Sequence, residues 1–295
     1  MTVSQDPFVA HRGLLFTVAY EMLGSAADAE DVVQETWLRW DSIGEVARAE
    51  VRDPRAFLVR MVTRKALDRL RSNARRREEY VGEWLPEPLL TSPDISEDVE
   101  LAESVSIAML TVLETLTPTE RAVFVLREVF DTPYEEIAEA VGKSAAAVRQ
   151  LAHRARKHVA SRRPRMEVSR TEQQEVVERF VTAVTQGDLQ GLLDVLAPDV
   201  VLVADGGGVV QAVVNPVIGA KKVANLLRPF SRLAPNAEIL PVLINGAVGV
   251  RIVGTVDGAD TAISFVSEAG RISRIYAIRN PAKLGRIDAE ATLSR

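Results

Sequence analysis

The clearest periodic pattern in the chain lies between residues 132 and 158, where two short apolar stripes flank a glycine. Ile137, Ala138 and Val141 share one helical face, and Gly142 is the residue type that ends helices in a left-handed conformation. After the glycine, apolar residues again recur at helical spacing and are expected to face inward. The pattern therefore predicts two short helices joined by a tight turn. The inward residues of the second helix are Val148, Leu151, Ala152, Ala155 and Val159.

Capping signals give these helices their predicted starts. Thr132 and Glu135 have the spacing of a capping box, with Pro133 at the first helical position, and Ser144 precedes the second helix. Residues 117–120, Thr-Pro-Thr-Glu, form a second box just upstream. These signals predict a third helix that supports the pair.

The outer face of the second helix is polar and mostly cationic. Two helices joined by a short turn, the second exposing such a face, are typical of a helix-turn-helix, whose second helix lies in the major groove of DNA. An αα-hairpin with a solvated basic face is the alternative. Glutamine and histidine beside the arginines favour DNA, because they can contact base edges as well as phosphates. The candidate DNA-binding residues are Arg149, Gln150, His153 and Arg154.

Three more helices are predicted upstream, over residues 8–23, 26–40 and 54–78. The second has an acidic outer face, which a solvated surface would explain equally well. The third is dense in arginine, as expected of phosphate contacts. The outer face of the second helix carries Asp28, Asp31, Gln34 and Glu35, and that of the third carries Arg60, Arg64, Lys65, Arg69 and Arg71.

From residue 172 the pattern changes to two amphipathic helices followed by strand-like runs. Asn245-Gly246 is a strong signal for a two-residue hairpin turn, and residues 268–270 mark another. This order predicts an α+β domain with helices packed on a curved antiparallel sheet. The expected strands cover residues 200–204, 209–214, 238–245, 247–254, 261–267 and 271–280.

Composition narrows the possible functions of the 295-residue chain. It contains no cysteine, which excludes disulfides, thiol catalysis and cysteine metal sites. Without an apolar membrane span or a secretory signal, a cytoplasmic protein is expected. We expect no cofactor and no metal site. The net charge of −5 opposes DNA binding, so such a protein is expected to need help to hold DNA.

Two parts of the chain resemble bacterial extracytoplasmic-function (ECF) sigma factors. GSAADAEDVVQETWLRW followed by DPRAFLVRMVTRKALDRLR resembles their domain 2, and LTPTERAVFVLREVFDTPYEEIAEAVGKSAAAVRQLAHRARK resembles their domain 4. The resemblance implies that the acidic helix binds the clamp helices of RNA polymerase core. The implied interface candidates are Asp28, Asp31, Gln34, Glu35 and Trp37. It also implies that the arginine-rich helix recognises and opens the −10 promoter element, and that the recognition helix reads the −35 element.

The second half is similar in pattern to SnoaL-like domains, cone-shaped α+β folds that include cyclases and isomerases. Three short stretches, at residues 84–88, 205–208 and 280–284, resemble the signatures of the sigma subgroup that carries such an extension. Val209 and Ala282 differ from that pattern, because the subgroup commonly has lysine and aspartate at these positions. Trp84 and Leu85, followed by two prolines, are too apolar for a free linker, so we expect this stretch to dock on the C-terminal domain. A local contact with domain 2 is the alternative. The candidate regulatory contacts are Trp84, Leu85, Pro86, Glu87, Pro88, Asp205, Gly206, Gly207, Asn280, Pro281 and Lys283.

The sequence thus predicts an alternative sigma factor with a built-in regulator rather than an enzyme. Asp205, Asp199 or Asp257 could serve as a base, but Tyr276 is the only tyrosine of the C-terminal half. The alternatives are a sigma-derived protein whose C-terminal domain binds or converts a small molecule, and a dimeric repressor. The expected domains are sigma domain 2 (1–80), a linker (81–106), sigma domain 4 (107–165), the SnoaL-like domain (170–285) and a tail (286–295).

Overall fold

The computed structural model describes residues 6–163 and 169–295. These residues divide into two compact units, and the fold class expected from the sequence is confirmed. In chain order the first half contains α1 (Pro7–Leu23), α2 (Ala26–Ser42), α3 (Glu45–Ala49), α4 (Pro54–Glu78), β1 (Leu90–Thr91), α5 (Pro93–Glu97), α6 (Val99–Val105), α7 (Ile107–Leu113), α8 (Pro118–Phe124), a π-helical turn (Val125–Val129), α9 (Tyr134–Val141) and α10 (Ala145–Ala160).

The second half of the chain contains the α+β elements. In chain order these are α11 (Arg170–Gln186), α12 (Leu189–Val195), β2 (Leu196–Asp205), β3 (Val217–Ile218), α13 (Ala220–Leu227), α14 (Phe230–Leu233), β4 (Glu238–Ile244), β5 (Ala247–Val253), β6 (Thr261–Glu268), β7 (Arg271–Ile278), α15 (Pro281–Leu284) and β8 (Glu290–Ala291).

The helical unit consists of residues 6–78, 109–163 and 292–295. Its helix starts follow the predicted caps at two positions. The Ser144 side chain accepts a hydrogen bond from the Ala147 amide, and Thr117 and Glu120 form a complete capping box. Near the C-terminus, the Ser294 amide donates to Oγ1 of Thr17 on α1. The last residues of the chain therefore pack on the first helix.

The capping box predicted at residues 132–135 is wrong. Pro133 occupies the N-cap position, and no side chain caps α9. Thr132 is instead buried, with its amide bonded to the Leu126 carbonyl, and Glu135 pairs with Arg149. The helix starts one residue later than the pattern indicated, which removes the threonine from the position where its hydroxyl could reach the N3 amide. Gly142 ends α9 with φ 67°, as predicted.

The second unit is built on one eight-stranded sheet, with strand order β3-β2-β7-β6-β5-β4-β1-β8. The antiparallel sheet expected from the sequence is formed except at two pairs, because β2 pairs in parallel with β7, and β1 pairs in parallel with β8. The remaining pairs are antiparallel. Both predicted hairpin turns are confirmed, at Asn245-Gly246 between β4 and β5 and at Ala269-Gly270 between β6 and β7.

The strand predicted over residues 209–214 is not formed. Gly207 and Gly208 have positive φ values of 63° and 69° and turn the chain after β2. Val209 and Val214 are then exposed rather than buried against a sheet. The apolar run predicted a strand because periodicity cannot detect that the preceding glycines redirect the backbone. Two short helices, α13 and α14, follow between β3 and β4 and were not predicted.

The segment between the two sigma-like regions, expected as a linker over residues 81–106, is packed and contains many polar residues. Residues 79–108 belong to the α+β unit and contain β1, α5 and α6. Leu90 pairs with Ile244 at the edge of β4. Leu85 and Ile107 are buried in a cluster with residues of the sheet and of the C-terminal segment. A few well-placed apolar residues thus outweigh the many polar ones.

Two apolar clusters form the core of the α+β unit. The larger joins α11, α12 and α13 to the sheet and includes Phe180, which packs edge-on against Phe265. The smaller cluster is formed where two segments meet the sheet: residues 79–108, called the connecting segment below, and the C-terminal residues 281–291. Its buried members are Leu85, Ile107, Ala108, Ile244, Ala262, Val266, Tyr276, Ile278, Leu284 and Ile287.

Candidate functional site

The second helix of the predicted helix-turn-helix, α10, has the two faces expected of it. Ser144 caps the helix, and its predicted inward residues are buried. Arg149, Gln150, His153 and Arg154 are all exposed on the opposite side. Arg149 pairs with Glu135 at 2.8 Å and lies over the ring of Tyr134. The helix therefore presents a continuous polar surface to solvent.

The basic face of α4 is paired with carboxylates and carbonyls of the same unit. Arg60 pairs with the carboxylate of Glu139 on α9, and Arg64 donates to the Glu139 carbonyl at 2.8 Å. Lys65 and Arg69 pair instead with acids of α2, and Arg71 pairs with Asp68 at 3.2 Å. Four of the five α4 cations that the sequence assigns to DNA are therefore ion-paired, and Arg64 is hydrogen-bonded to a backbone carbonyl.

The acidic face of α2 is placed beside α4. Glu35 lies 3.0 Å from Lys65, and Arg69 lies within 3.6 Å of Asp28, Asp31 and Glu35. Asp28 is largely covered, because it also accepts a hydrogen bond from Asn73. The other candidate polymerase contacts are exposed, namely Asp31, Gln34, Glu35 and Trp37.

A buried arginine that the sequence analysis did not identify joins the two sigma-like regions within the helical unit. Arg121 on α8 is almost fully buried; its Nε donates to the Glu21 carbonyl on α1, and Nη1 donates to Glu114 at 2.6 Å. Burial lowers the pKa of Arg121 to about 9, and the charge of Glu21 opposes that shift. Position 121 lies on an apolar face of α8, so helical periodicity alone gave no sign of a charge there.

A buried polar cluster in the α+β unit brings together several of the predicted regulatory residues. Asp205, at the end of β2, has no exposed surface. Its Oδ2 accepts hydrogen bonds from the Leu85 amide at 2.9 Å and from Nζ of Lys283 at 2.7 Å. Its Oδ1 accepts one from the Gly207 amide, which makes a local Asx turn. The carboxylate therefore links the connecting segment to α15.

Tyr80 completes this cluster and was missed in the sequence. Its hydroxyl donates to Oδ1 of Asp205 at 2.5 Å and accepts from Nδ2 of Asn280 at 2.7 Å. Burial and the hydrogen bond to Asp205 raise the pKa of Tyr80 well above its usual value. The only signal available was a tyrosine close to the Trp84 stretch, which is too weak to assign a role.

Lys283 is held by the connecting segment as well as by the carboxylate. Its Nζ donates to the Leu85 carbonyl at 2.5 Å and lies 3.2 Å from the centre of the Trp84 ring. Trp84 in turn packs edge-on against Tyr80. Such ammonium–ring contacts are strongest when desolvated, as here. Lys283 therefore contacts both the Asp205 carboxylate and the connecting segment.

The other predicted regulatory residues surround the cluster. A side chain at Gly206 would collide with the Val210 carbonyl, and one at Gly207 would collide with the Asn280 amide. Asn280 caps α15 by accepting from the Ala282 amide. Pro86 and Pro88 are buried, Glu87 is half-buried and Pro281 is exposed.

The candidate catalytic groups of the α+β unit do not converge. Asp199 is exposed, Asp257 pairs with Arg279 at 2.8 Å, and Asp205 is the buried carboxylate of the cluster above. Tyr276 is buried in the smaller apolar cluster, and burial raises its pKa. Within residues 6–163 and 169–295 no group of three metal-ligating side chains is found, and no helix could cross a membrane.

An open groove of about 540 Å³ lies between α11 and strands β4 and β5. One carboxylate, Glu178, is among its lining residues. Its apolar wall is formed by Val177, Val181, Ile239, Pro241, Val242, Leu243, Val248 and Val250.

A helix-turn-helix domain packed on an arginine-rich helical domain defines a DNA-binding transcription protein, and the comparisons with known proteins specify its class. Residues 8–76 match the family model for sigma-70 region 2, and residues 106–159 match that for sigma-70, region 4. The chain is 41% identical to the ECF RNA polymerase sigma factor SigJ of Mycobacterium tuberculosis, over 96% of this chain and 93% of that protein.

The same relative has a solved structure. The crystal structure of Mycobacterium tuberculosis SigJ superposes with a TM-score of 0.76 at 36% identity, and the match covers 94% of this chain and 96% of that chain. The similarity therefore includes the α+β unit as well as the two sigma regions. The chain belongs to the ECF RNA polymerase sigma factors.

Proposed function

We propose that the SnoaL-like domain regulates this sigma factor by holding the segment that connects sigma domains 2 and 4. The observation that carries the proposal is the buried Asp205 carboxylate, which binds the Leu85 amide and Lys283 at once. A sigma factor must reach two promoter elements together. A connection held on a third domain has a fixed length, and its release changes the reach of the two DNA-binding domains.

Two features make this docking persistent. The connecting segment contributes Leu85 and Ile107 to a buried apolar cluster, and burial of such side chains stabilises by roughly 1.5–3 kcal/mol each. The segment is also part of the same chain, so its effective concentration at the docking surface is high. A regulator that acts through docking therefore needs a signal strong enough to oppose both effects.

For the sigma domains we propose the roles that the ECF resemblance implies. The exposed acids and Trp37 of α2 bind the polymerase clamp helices, α4 recognises the −10 element, and α10 reads the −35 element. In the free protein the cations of α4 are already paired, with Glu139 and with Glu35 among others. This pairing and the net charge of −5 both weaken binding of the free protein to DNA.

We infer that the C-terminal domain is not catalytic. Asp205 is the carboxylate most closely surrounded by polar groups, and its oxygens are occupied by a lysine, a tyrosine and two backbone amides. A general base must be able to reach a substrate proton. A carboxylate enclosed in this way has no such access.

A second candidate function is the binding of an apolar small molecule in the groove between α11 and β4–β5. Its apolar wall and single lining carboxylate fit binding rather than conversion of a ligand. An anilinonaphthalene sulfonate dye tests this idea. Bound dye should fluoresce, and Val181→Trp should abolish the signal by filling the groove; equal signals from both proteins would exclude it.

A truncation series tests the regulatory proposal. Transcription with core polymerase is compared for the full chain, a chain ending at Ala291 and a chain ending at Arg279. The truncation after Ala291, the second protein, removes only the tail that packs on α1. The truncation after Arg279, the third protein, also removes Asn280 and Lys283. We expect the third to differ from the second in transcript yield. Equal yields from these two truncations would reject the proposal.

A further inference from the structure

The hairpin turn between β4 and β5 has a buried side chain at its first position. Asn245 and Gly246 have φ values of 53° and 77°, as the favoured two-residue turn requires. That geometry explains the residue types but not the burial, because a turn residue normally faces solvent. Asn245 has no exposed surface. Its side chain therefore has a role besides forming the turn.

The Asn245 side chain binds two distant points of the connecting segment. Its Oδ1 accepts a hydrogen bond from the Leu89 amide at 2.8 Å, and its Nδ2 donates to the Val105 carbonyl at 2.7 Å. The Asn245 amide also donates to the Leu89 carbonyl at 2.9 Å. One side chain thus brings both ends of the stretch 89–105 to the same place.

The Asn245 carboxamide binds backbone groups that the regular secondary structure of the segment does not satisfy, at Leu89 and Val105. Val105 is the last residue of α6, and carbonyls in the last turn of a helix lack intrahelical donors. Leu89 precedes the short strand β1, which pairs with β4 only at Leu90 and Ile244. The carboxamide, with one acceptor and one donor group, satisfies both needs.

The turn backbone lies too close to the segment to tolerate a side chain at Gly246. A Cβ there would lie 2.7 Å from Cβ and 2.8 Å from Cα of Ala102 on α6. The Gly246 amide also donates to Oγ1 of the buried Thr91 at 2.9 Å. The turn and the stretch 89–105 are therefore fitted to one another at the end of the sheet away from β2.

We propose that Asn245 is a clamp that sets the length of the connection between sigma domains 2 and 4. By joining Leu89 to Val105 it closes the intervening residues into a loop, so that they add nothing to the reach of the connection. Extended, that stretch would span roughly 50 Å, or on the order of 15 base-pair steps. The clamp therefore restricts which spacings between the −35 and −10 elements can be used. The inference rests on the proposed function of linker docking but concerns a different contact.

Asn245→Gly is the sharpest test, because glycine keeps the positive φ and removes only the carboxamide. Ala269→Gly is the matched control: Ala269 has φ 48° in the hairpin turn between β6 and β7. Transcription is measured with core polymerase on promoters whose spacer is shortened or lengthened by one to three base pairs. We expect the yield at altered spacers, relative to the optimal spacer, to rise at least about threefold in Asn245→Gly, with no change in the control.

Hydrogen exchange over residues 89–105 shows whether the loop has opened. Faster exchange together with an unchanged spacer profile would overturn the proposal, and so would unchanged exchange. A loss of yield that is equal at every spacer would indicate a purely structural role and would also overturn it. If Asn245→Gly does not fold, Asn245→Asp keeps the acceptor for Leu89 and removes the donor to Val105, and the same outcomes apply.

The companion variant Lys283→Met separates this inference from the regulatory proposal. A broadened spacer profile in Asn245→Gly, with normal transcription by Lys283→Met, would support the clamp and reject regulation through the Asp205 cluster. The reverse pattern would support that cluster and reject the clamp.

Discussion

Nζ of Lys283 lies 2.7 Å from Oδ2 of Asp205, and neither side chain is more than 4% exposed. Removing two charges from water is costly, and a buried ion pair is maintained only when its remaining donors and acceptors are also satisfied. Here the Leu85 carbonyl and the Trp84 ring contact the lysine, while Tyr80 and two amides bind the carboxylate. The ion pair is therefore completed by the connecting segment.

Replacing Lys283 by methionine should strongly destabilise the α+β unit. The substitution retains an apolar side chain of similar length but leaves the Asp205 charge buried without its partner, and such a change costs about 3–5 kcal/mol. Urea denaturation measures the loss. The control is Lys222→Met on an exposed part of the same unit, which should change stability by less than about 0.5 kcal/mol. Similar effects of both variants would contradict the assigned role of Lys283.

Tyr80 should make the stability of the wild-type protein sensitive to alkaline pH. Burial and Asp205 raise the pKa of Tyr80 in the folded state, whereas an unfolded tyrosine ionises near pH 10. The stabilisation is therefore complete below about pH 10 and is lost as the pH rises toward the folded-state pKa. The free energies of unfolding of the wild type and Tyr80→Phe should converge accordingly above pH 10. A difference that stays constant from pH 8 to pH 11 would show that Tyr80 ionises normally.

Arg149→Ala tests the recognition helix. Arg149 is exposed, and its ion pair with Glu135 and its contact with the Tyr134 ring lie at the surface, so promoter DNA can displace both. If the guanidinium makes a bidentate contact with guanine, its loss should reduce discrimination at one position of the −35 element by about 1–3 kcal/mol. Competition binding of the holoenzyme to single-base promoter variants measures this. Arg232→Ala, an exposed arginine of the α+β unit, serves as the control; equal base preference in both variants would reject the contact.

Reversing the charges of Asp31 and Glu35 should weaken binding to RNA polymerase core. Both side chains are at least 45% exposed, so lysine can be accommodated there without disturbing the core of the domain. Reversal at Glu45 and Glu50 changes the net charge equally at exposed positions of the same domain. Core affinity, measured by fluorescence anisotropy, should fall only in the first pair. A parallel fall in both would identify a general charge effect instead.

Much of the helical half could be predicted, because its signals are local. The inward residues of α10, the caps at Ser144 and Thr117 and the glycine at the end of α9 all depend on neighbours a few residues away. The capping box predicted at Thr132 is wrong because α9 starts one residue later than its pattern indicates. Helix termini are the least certain part of such a prediction, since a one-residue shift leaves the apolar stripe unchanged.

The α+β half was harder to predict, because its decisive contacts are distant in sequence. The hydrogen bond between Tyr80 and Asp205 joins residues 125 positions apart, and that between Asn245 and Val105 spans 140. No local periodicity reports such pairs. The parallel pairing of β2 with β7 was missed for the same reason, since strand runs do not indicate their partners. Asn245-Gly246 correctly predicted a turn. The turn alone accounts for both residue types, so nothing in the sequence indicated that the Asn245 side chain also binds Leu89 and Val105.

The central claim, that docking of the connecting segment on the SnoaL-like domain controls the sigma factor, is tested most directly by Trp84→Ala. Trp84 covers Nζ of Lys283 but belongs to neither sigma domain. Transcription by reconstituted polymerase is measured at saturating sigma factor, with Val99→Ala, an exposed apolar residue of the same segment, as the control. A lost contact of 1–2 kcal/mol predicts a change in yield of about fivefold or more for Trp84→Ala and none for Val99→Ala. Equal yields from Trp84→Ala and wild type, with faster hydrogen exchange over the connecting segment, would contradict the claim.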